Sequence, residues 1–432
     1  MREATLCVAD KACRIYDLPG FIACGQADRQ VHPLRLEDMI PLPRASELFM
    51  LPDRHPIACD PATGECGTLD DHYAVAAFVP PGYTQVWTAA YVEAPSAKLL
   101  PLYSYAPVAC HRGRFYVAAV KVDRRRVHDL TGLDRAALAR SIRAFGKTSN
   151  RLIRHLAHCA TVNFCPNAIN FFLGRYECPL PSSPHCNARC LGCISFQPKG
   201  SCPPTQERLA FSPTAAELAE VALAHMAAAR APIVSFGQGC EGEPLLAAAV
   251  IGATIRRIRS ATRRGTIHMN TNAGLTAALD ELLALGLDSI RVSLNSAQPG
   301  FYHRYYAPRG YGFADVLRSI DRAKRRGKFV ALNYLVMPGF TDRAAEFKAL
   351  VALIRAHKVD MIQWRNLNYD PQRYFKRMRV DPREKHLGMA AVIRRLRELF
   401  PRLRHGYFNV PADGSRREKA CRGAGKSKMN LK

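Results

Sequence analysis

An α/β fold built on parallel strands is the expectation, and three observations carry it. From about residue 176, short apolar runs alternate with helix-period segments. Six such runs occur, at 176–180, 233–237, 266–271, 290–296, 330–337 and 361–367, each followed by a helix or loop before the next. Polar residues recur at the C-terminal ends of these otherwise apolar runs. Consecutive strand–helix units imply a parallel sheet with right-handed crossovers. The fold class predicted is therefore a partial (β/α)6 TIM-type barrel, with an N-terminal β-rich extension and a basic C-terminal tail.

Taken in order, residues 1–158 form the extension. Apolar runs at 73–79, 84–92 and 114–122 read as strands, separated by punctuation such as Pro80-Pro81-Gly82. Leu133, Leu138, Ile142, Leu152, Ile153 and Leu156 recur at helical spacing, so 133–158 reads as one helix. Nothing in this portion is tied to chemistry. Residues 159–385 hold the barrel, with helices expected at 214–229, 244–261, 276–285, 313–326 and 343–357. Residues 386–432 supply a last helix, 386–400, and the tail.

Composition narrows the function classes. Hydrophobic residues make up 48% of the 432, enough for a full core, and no apolar run is long enough to span a bilayer. The start, Met1 to Cys7, lacks a signal-peptide pattern, so the expectation is a cytoplasmic protein with no membrane attachment. Fifteen cysteines then point to metal or redox chemistry rather than a disulfide framework. The formal net charge is +26, and residues 371–432 hold 18 Lys/Arg against 5 Asp/Glu. Residues 111–156 hold 12 against 3. Such stretches suit a solvated surface, nucleic acid or an acidic protein partner.

The strongest chemical signal is Cys186-Asn-Ala-Arg-Cys190-Leu-Gly-Cys193, just after the first strand. Three thiolates in one short loop can hold three irons of a cubane cluster and leave a fourth iron open. A structural zinc would require a fourth ligand, for which His185, Cys178 and Cys202 are the neighbours. After the second strand comes Gly237-Gln-Gly239-Cys-Glu241-Gly242-Glu243-Pro244. Its glycines allow close backbone approach to a ligand, Glu243 offers a carboxylate to an ammonium group, and Pro244 suits a first helical turn. Later strand ends carry Asn270 and Thr271, Ser293 and Asn295, Asn333, and Arg365-Asn366. Polar groups in buried parallel strands are costly unless they meet a partner or ligand. Arg304 and Arg309 are candidates for a carboxylate in fork geometry.

The C-x3-C-x2-C loop resembles the cluster loop of the radical S-adenosylmethionine (radical SAM) superfamily, and Gly239 to Pro244 is similar to its Gly-Gly-Glu-Pro motif with Glu241 in place of the first glycine. The resemblance covers about residues 176–370, and the fourth and fifth strands look like the branch containing the molybdenum-cofactor cyclase and peptide-modifying enzymes. It implies a [4Fe–4S] cluster on Cys186, Cys190 and Cys193, and S-adenosylmethionine bound near Gly239, Gly242, Glu243, Asn270, Thr271, Ser293, Asn295, Asn333 and Met337. It implies an electron donor of flavodoxin or ferredoxin type, cleavage of S-adenosylmethionine to a 5′-deoxyadenosyl radical, and an unidentified substrate. Two departures stand out. Gly192 replaces the usual aromatic residue before the third cysteine, with Phe196 as the candidate to fill its space, and Glu241 replaces a glycine.

Rival readings are a zinc-stabilised nucleic-acid-binding protein, an RNA-modifying enzyme of the same superfamily with Cys421 as carrier, and a cluster kept for electron transfer alone. Cys159, Cys165, Cys178, Cys202 and Cys240 are open to a second cluster, a catalytic thiol or plain burial.

Overall fold

The computed structural model describes residues 4–146 and 148–412. The parallel sheet runs in sequence order through seven strands: β1 (Glu177–Pro179), β2 (Ile233–Phe236), β3 (Thr266–Thr271), β4 (Ser289–Leu294), β5 (Phe329–Val336), β6 (Met361–Asn366) and β7 (Arg404–Gly406). Every neighbouring pair is parallel. The strands read as near-continuous apolar runs because both faces are covered. β2 and β3 are buried at every position.

The helices between them are α1 (Ala215–Ala228), α2 (Ala248–Ala261), α3 (Thr276–Leu285), α4 (Phe313–Arg325), α5 (Ala344–His357) and α6 (Met389–Leu399). A capping box of Thr214 and Glu217 starts α1. Gly286, at φ +120°, ends α3 in a conformation that suits glycine.

The six anticipated barrel strands are present. The seventh, β7, is three residues of mostly polar character and has no apolar pattern to announce it. The sheet is an open, curled half-barrel. Side chains bridge its gap: Asn409, just beyond β7, donates through Nδ2 to Glu177 Oε1 of β1 at 2.8 Å.

Three expectations for the front of the chain need correction, the first being that the run 114–122, read as one strand, is two, Arg114–Val117 and Ala119–Lys121, in different sheets. The single helix over 133–158 is two helices, Arg135–Ala144 and Arg151–Thr161, followed by a third at Pro166–Phe172. Asn150 starts the second by accepting from the backbone N–H groups of Leu152 and Ile153, which a continuous helix would pair internally. The run 84–92 is three short strands, Tyr83–Gln85, Thr88–Ala89 and Tyr91–Glu93. Twelve strands between Thr5 and Val117 make an antiparallel sheet, within which Cys59 and Cys66 pair across two strands and are disulfide-bonded.

This front sheet is bolted to the barrel through polar contacts. Arg54, 1% exposed, donates from Nη2 to Asp370 Oδ2 at 3.0 Å, Glu93 Oε1 at 2.9 Å and the carbonyl of Lys98 at 2.7 Å. Asp370, 0% exposed, also caps the helix Pro371–Met378. Removing one member of a buried ion pair strands the other charge. Asp370→Ala is expected to cost about 3–5 kcal/mol in chemical denaturation. A change within experimental error would show that Glu93 alone satisfies Arg54.

Among the described residues, no helix is long and apolar enough to cross a membrane.

Candidate functional site

Three loops converge on a cavity of about 460 Å³ at the C-terminal ends of the strands. Its walls include Cys186, Cys190 and Cys193, Gly239 to Glu243, Asn270 to Asn272, Ser293 and Asn333. Backbone hydrogen bonds hold the cysteine loop on both sides. Gly242 N donates to Ser183 O at 2.7 Å, and Glu243 N to His185 O at 2.8 Å. Opposite, Arg189 N and Leu191 N donate to the carbonyls of Tyr306 and Tyr305 at 2.8 and 3.1 Å. Gly242 is required by that stitching, since a Cβ there would lie 1.8 Å from His185 O.

Glu241 has a structural account. Its carboxylate accepts from Ser182 N (2.7 Å), Ser182 Oγ (3.0 Å), Ser183 N (3.0 Å), Gly237 N (2.7 Å) and Gln238 N (2.7 Å). It braces the segment entering the cysteine loop against the end of β2. Gly192 is also accounted for: a Cβ there would meet Tyr305 Oη at 3.0 Å and Asn368 O at 3.1 Å, so the position has little room for a side chain. Phe196 does not fill in for an aromatic residue. It is 48% exposed, outside the cavity, with the Arg208 guanidinium 5.2 Å above its ring. That guanidinium reaches back to Cys193 Sγ at 3.4 Å.

Burial, with Glu243 and Cys193 nearby, pushes Cys186 up to about 11. Burial, then Cys193 and Cys186, also pushes Cys190 well up. Bound iron offsets that cost by converting each thiol to a ligated thiolate. A single tetrahedral zinc would hold its sulfurs about 3.8 Å apart. The described groups with ligand atoms within 4.8 Å of one another are Cys24/Cys59/Cys66 and His155/Cys159/Cys240, not the loop cysteines. The candidate fourth zinc ligands also point elsewhere: Cys178 is wholly buried, with its thiol against Pro179 O, and neither Cys202 nor His185 lines the cavity. The residues present thus fit a cubane cluster.

Glu243 is held by Thr271 Oγ1, by Asn272 N at 2.9 Å and by Leu245 N at 3.2 Å. Burial nevertheless pushes its carboxyl up to about 7. The folded chain therefore keeps a proton that the unfolded chain releases, and this contribution to stability is lost as pH rises from about 4.5 to about 7. Glu243→Gln is expected to flatten the fall of Tm over that window. Parallel curves for the two proteins would refute the assignment.

Asn270 is locked by donation to Gly237 O at 2.9 Å and by contact with His268 Nε2 at 3.0 Å. Asn333 donates to Ser293 Oγ at 3.4 Å, while its buried Oδ1 has no partner and lies in the cavity wall. Asn295 is placed elsewhere. β4 ends at Leu294, and the turn that follows points Asn295 at Tyr374 Oη and Phe301 O. Met337 is in the core, 1% exposed. Arg304 donates to Met378 O, and Arg309 does not line the cavity.

The cationic wall is made instead by Arg291 and Arg365. Arg291 bonds Gln363 at 3.0 Å but leaves Nε unpartnered. Burial and the charge of Arg365 pull it down to about 9. Arg365 lies 4.1 Å over the Tyr407 ring. An arginine inside an apolar strand was the available signal for both. His128, Phe408 and Asn409, which also line the cavity, had none.

Residues 180–351 match the family model described as the radical SAM superfamily. A probable dual-specificity RNA methyltransferase, RlmN 1 of Opitutus terrae, is 30% identical over 137 residues, 30% of this chain and 38% of that protein. The chain thus spans well under half of that curated relative. Among solved structures, the FeFe-hydrogenase maturase HydG of Carboxydothermus hydrogenoformans aligns at 17% identity over 64% of this chain and 66% of its own, with TM-score 0.38. SuiB of Streptococcus suis, bound to precursor peptide SuiA, aligns at 13% over 50% and 44%, with TM-score 0.33. Residues 180–351 are thus similar to the radical SAM superfamily, whose enzymes use a [4Fe–4S] cluster and S-adenosylmethionine.

Proposed function

We propose that the chain reductively cleaves S-adenosylmethionine and uses the product radical to modify a substrate in the cavity. The observation that carries this is the convergence of Cys186, Cys190 and Cys193 with Glu243 and the strand-end amides on one cavity. When bound, the cluster and cofactor supply one-electron cleavage of a sulfonium bond and a 5′-deoxyadenosyl radical. The chain's residues do the rest. The three thiolates hold the irons, and Gly242 lets the motif loop approach closely. Glu243 offers its carboxylate to a cofactor ammonium. Ser293 and the open Oδ1 of Asn333 offer hydrogen bonds to its nucleoside portion. Arg291 and Arg365 favour a substrate with a carboxylate or phosphate. The basic surface suits an acidic flavodoxin- or ferredoxin-like donor.

RNA modification is the second reading, favoured by the methyltransferase match. Its candidate carrier Cys421 and most of the basic tail lie outside the described residues. The test is anaerobic reconstitution with iron and sulfide, then dithionite and S-adenosylmethionine, with 5′-deoxyadenosine read by chromatography. A brown protein releasing that product supports the proposal. A colourless zinc protein refutes it, and an iron protein that leaves the cofactor intact points to electron transfer alone.

A further inference from the structure

We propose that His155, Cys159 and Cys240 form a second metal centre, binding one zinc-type cation through one nitrogen and two sulfurs beside the same cavity. His155 and Cys159 are four residues apart on the helix Arg151–Thr161 and so share one face. Cys240 arrives from the loop after β2, between Gly239 and Glu241. The three ligand atoms all lie within 4.8 Å of one another. The His155 Nε2 to Cys159 Sγ distance is 3.5 Å. A tetrahedral zinc, with Zn–N near 2.0–2.1 Å and Zn–S near 2.3 Å, places nitrogen and sulfur about 3.6 Å apart. That nitrogen–sulfur spacing is therefore close to that of a filled site, and Cys240 Sγ lies within 4.8 Å of both atoms.

The donor set decides the metal class. Two sulfurs and an imidazole select a borderline-soft cation such as zinc over magnesium or calcium, which take oxygen ligands. Three protein ligands leave a fourth position, as in zinc sites that bind substrate or water. Cys159 and Cys240 both line the cavity, as does Cys165, whose backbone N–H donates to Cys159 O at 2.9 Å. The fourth position is thereby accessible to a cavity ligand. A metal here also ties the front helix to the loop that carries Gly242 and Glu243. The centre shares no ligand with the cysteine loop, so it stands or falls apart from the cluster reading.

The full chain, purified anaerobically with zinc and dialysed against a weak chelator, is assayed for zinc and iron. About one zinc per chain is expected at this centre, with zinc-edge X-ray absorption showing two sulfurs and nitrogen or oxygen for the rest. Cys159→Ser and His155→Gln should each lose one zinc equivalent and keep their iron. Cys186→Ala should lose iron and keep this zinc. The absorption spectrum of the unsubstituted chain guards against a variant that simply misfolds. Zinc absent from the unsubstituted chain, zinc bound by three or four sulfurs, zinc retained in Cys159→Ser, or a Cys159–Cys240 disulfide in the mass spectrum would each overturn the proposal.

Discussion

Cys190→Ala is expected to yield a folded chain that holds no [4Fe–4S] cluster and releases no 5′-deoxyadenosine. The loop keeps its position because backbone groups, not the thiol, anchor it: Arg189 N and Leu191 N bond the carbonyls of Tyr306 and Tyr305. The substitution removes a thiol that burial, and then Cys193 and Cys186, already disfavour as a thiolate. Stability without iron should therefore change little. Two remaining sulfurs cannot ligate three irons, so the loss of activity is complete rather than graded. Iron content, visible absorbance and product release are measured together, with circular dichroism as the check on folding. Undiminished product from this variant would end the three-cysteine assignment.

Gly242→Ala is expected to lower product formation by at least about 100-fold, because a displacement on the ångström scale at the reacting groups costs that much. The added carbon would sit 1.8 Å from His185 O and 2.3 Å from its carbonyl carbon. Backbone cannot swing away as a long side chain can. The motif loop and the cysteine loop must part, breaking the Gly242–Ser183 and Glu243–His185 hydrogen bonds that set their spacing. Gly300→Ala is the control. Beyond its chain neighbours and its own helix backbone, no heavy atom lies within 4 Å of the new carbon there, and activity should be unchanged. Equal activity in the two variants would show that the close approach is not needed for function.

Much of this was legible in the linear chain. The six main strands were visible because a parallel sheet covered on both faces demands apolar runs, and because each run precedes a helix-period segment. The cysteine loop and the Glu243 motif were legible because their spacing is local: ligands within eight residues need no tertiary information to be grouped. Glu241 was read only as a departure. Its role depends on donors from Ser182 and Ser183, more than fifty residues away, which no local pattern encodes. The arginines that line the cavity were not singled out for a similar reason. Arg304 and Arg309 stood in a conspicuous polar run, whereas Arg291 and Arg365 lie inside β4 and β6, where strand parity turns them toward the cavity. Asn295 shares its parity with Ser293 but falls past the strand's last residue, where the alternation no longer holds.

By itself the sequence determined the class of fold, the spacing of the cysteine loop and the polar character of the strand ends. Those depend on periodicity and short spacing, which the chain carries at every point. Tertiary structure alone decided that residues near 78 and 128 reach the cavity, that Asn409 bridges the open barrel, and that His155 and Cys159 meet Cys240. Such contacts join residues tens to hundreds of positions apart. They exist only once the whole core has packed, because packing rather than local preference fixes which distant side chains become neighbours.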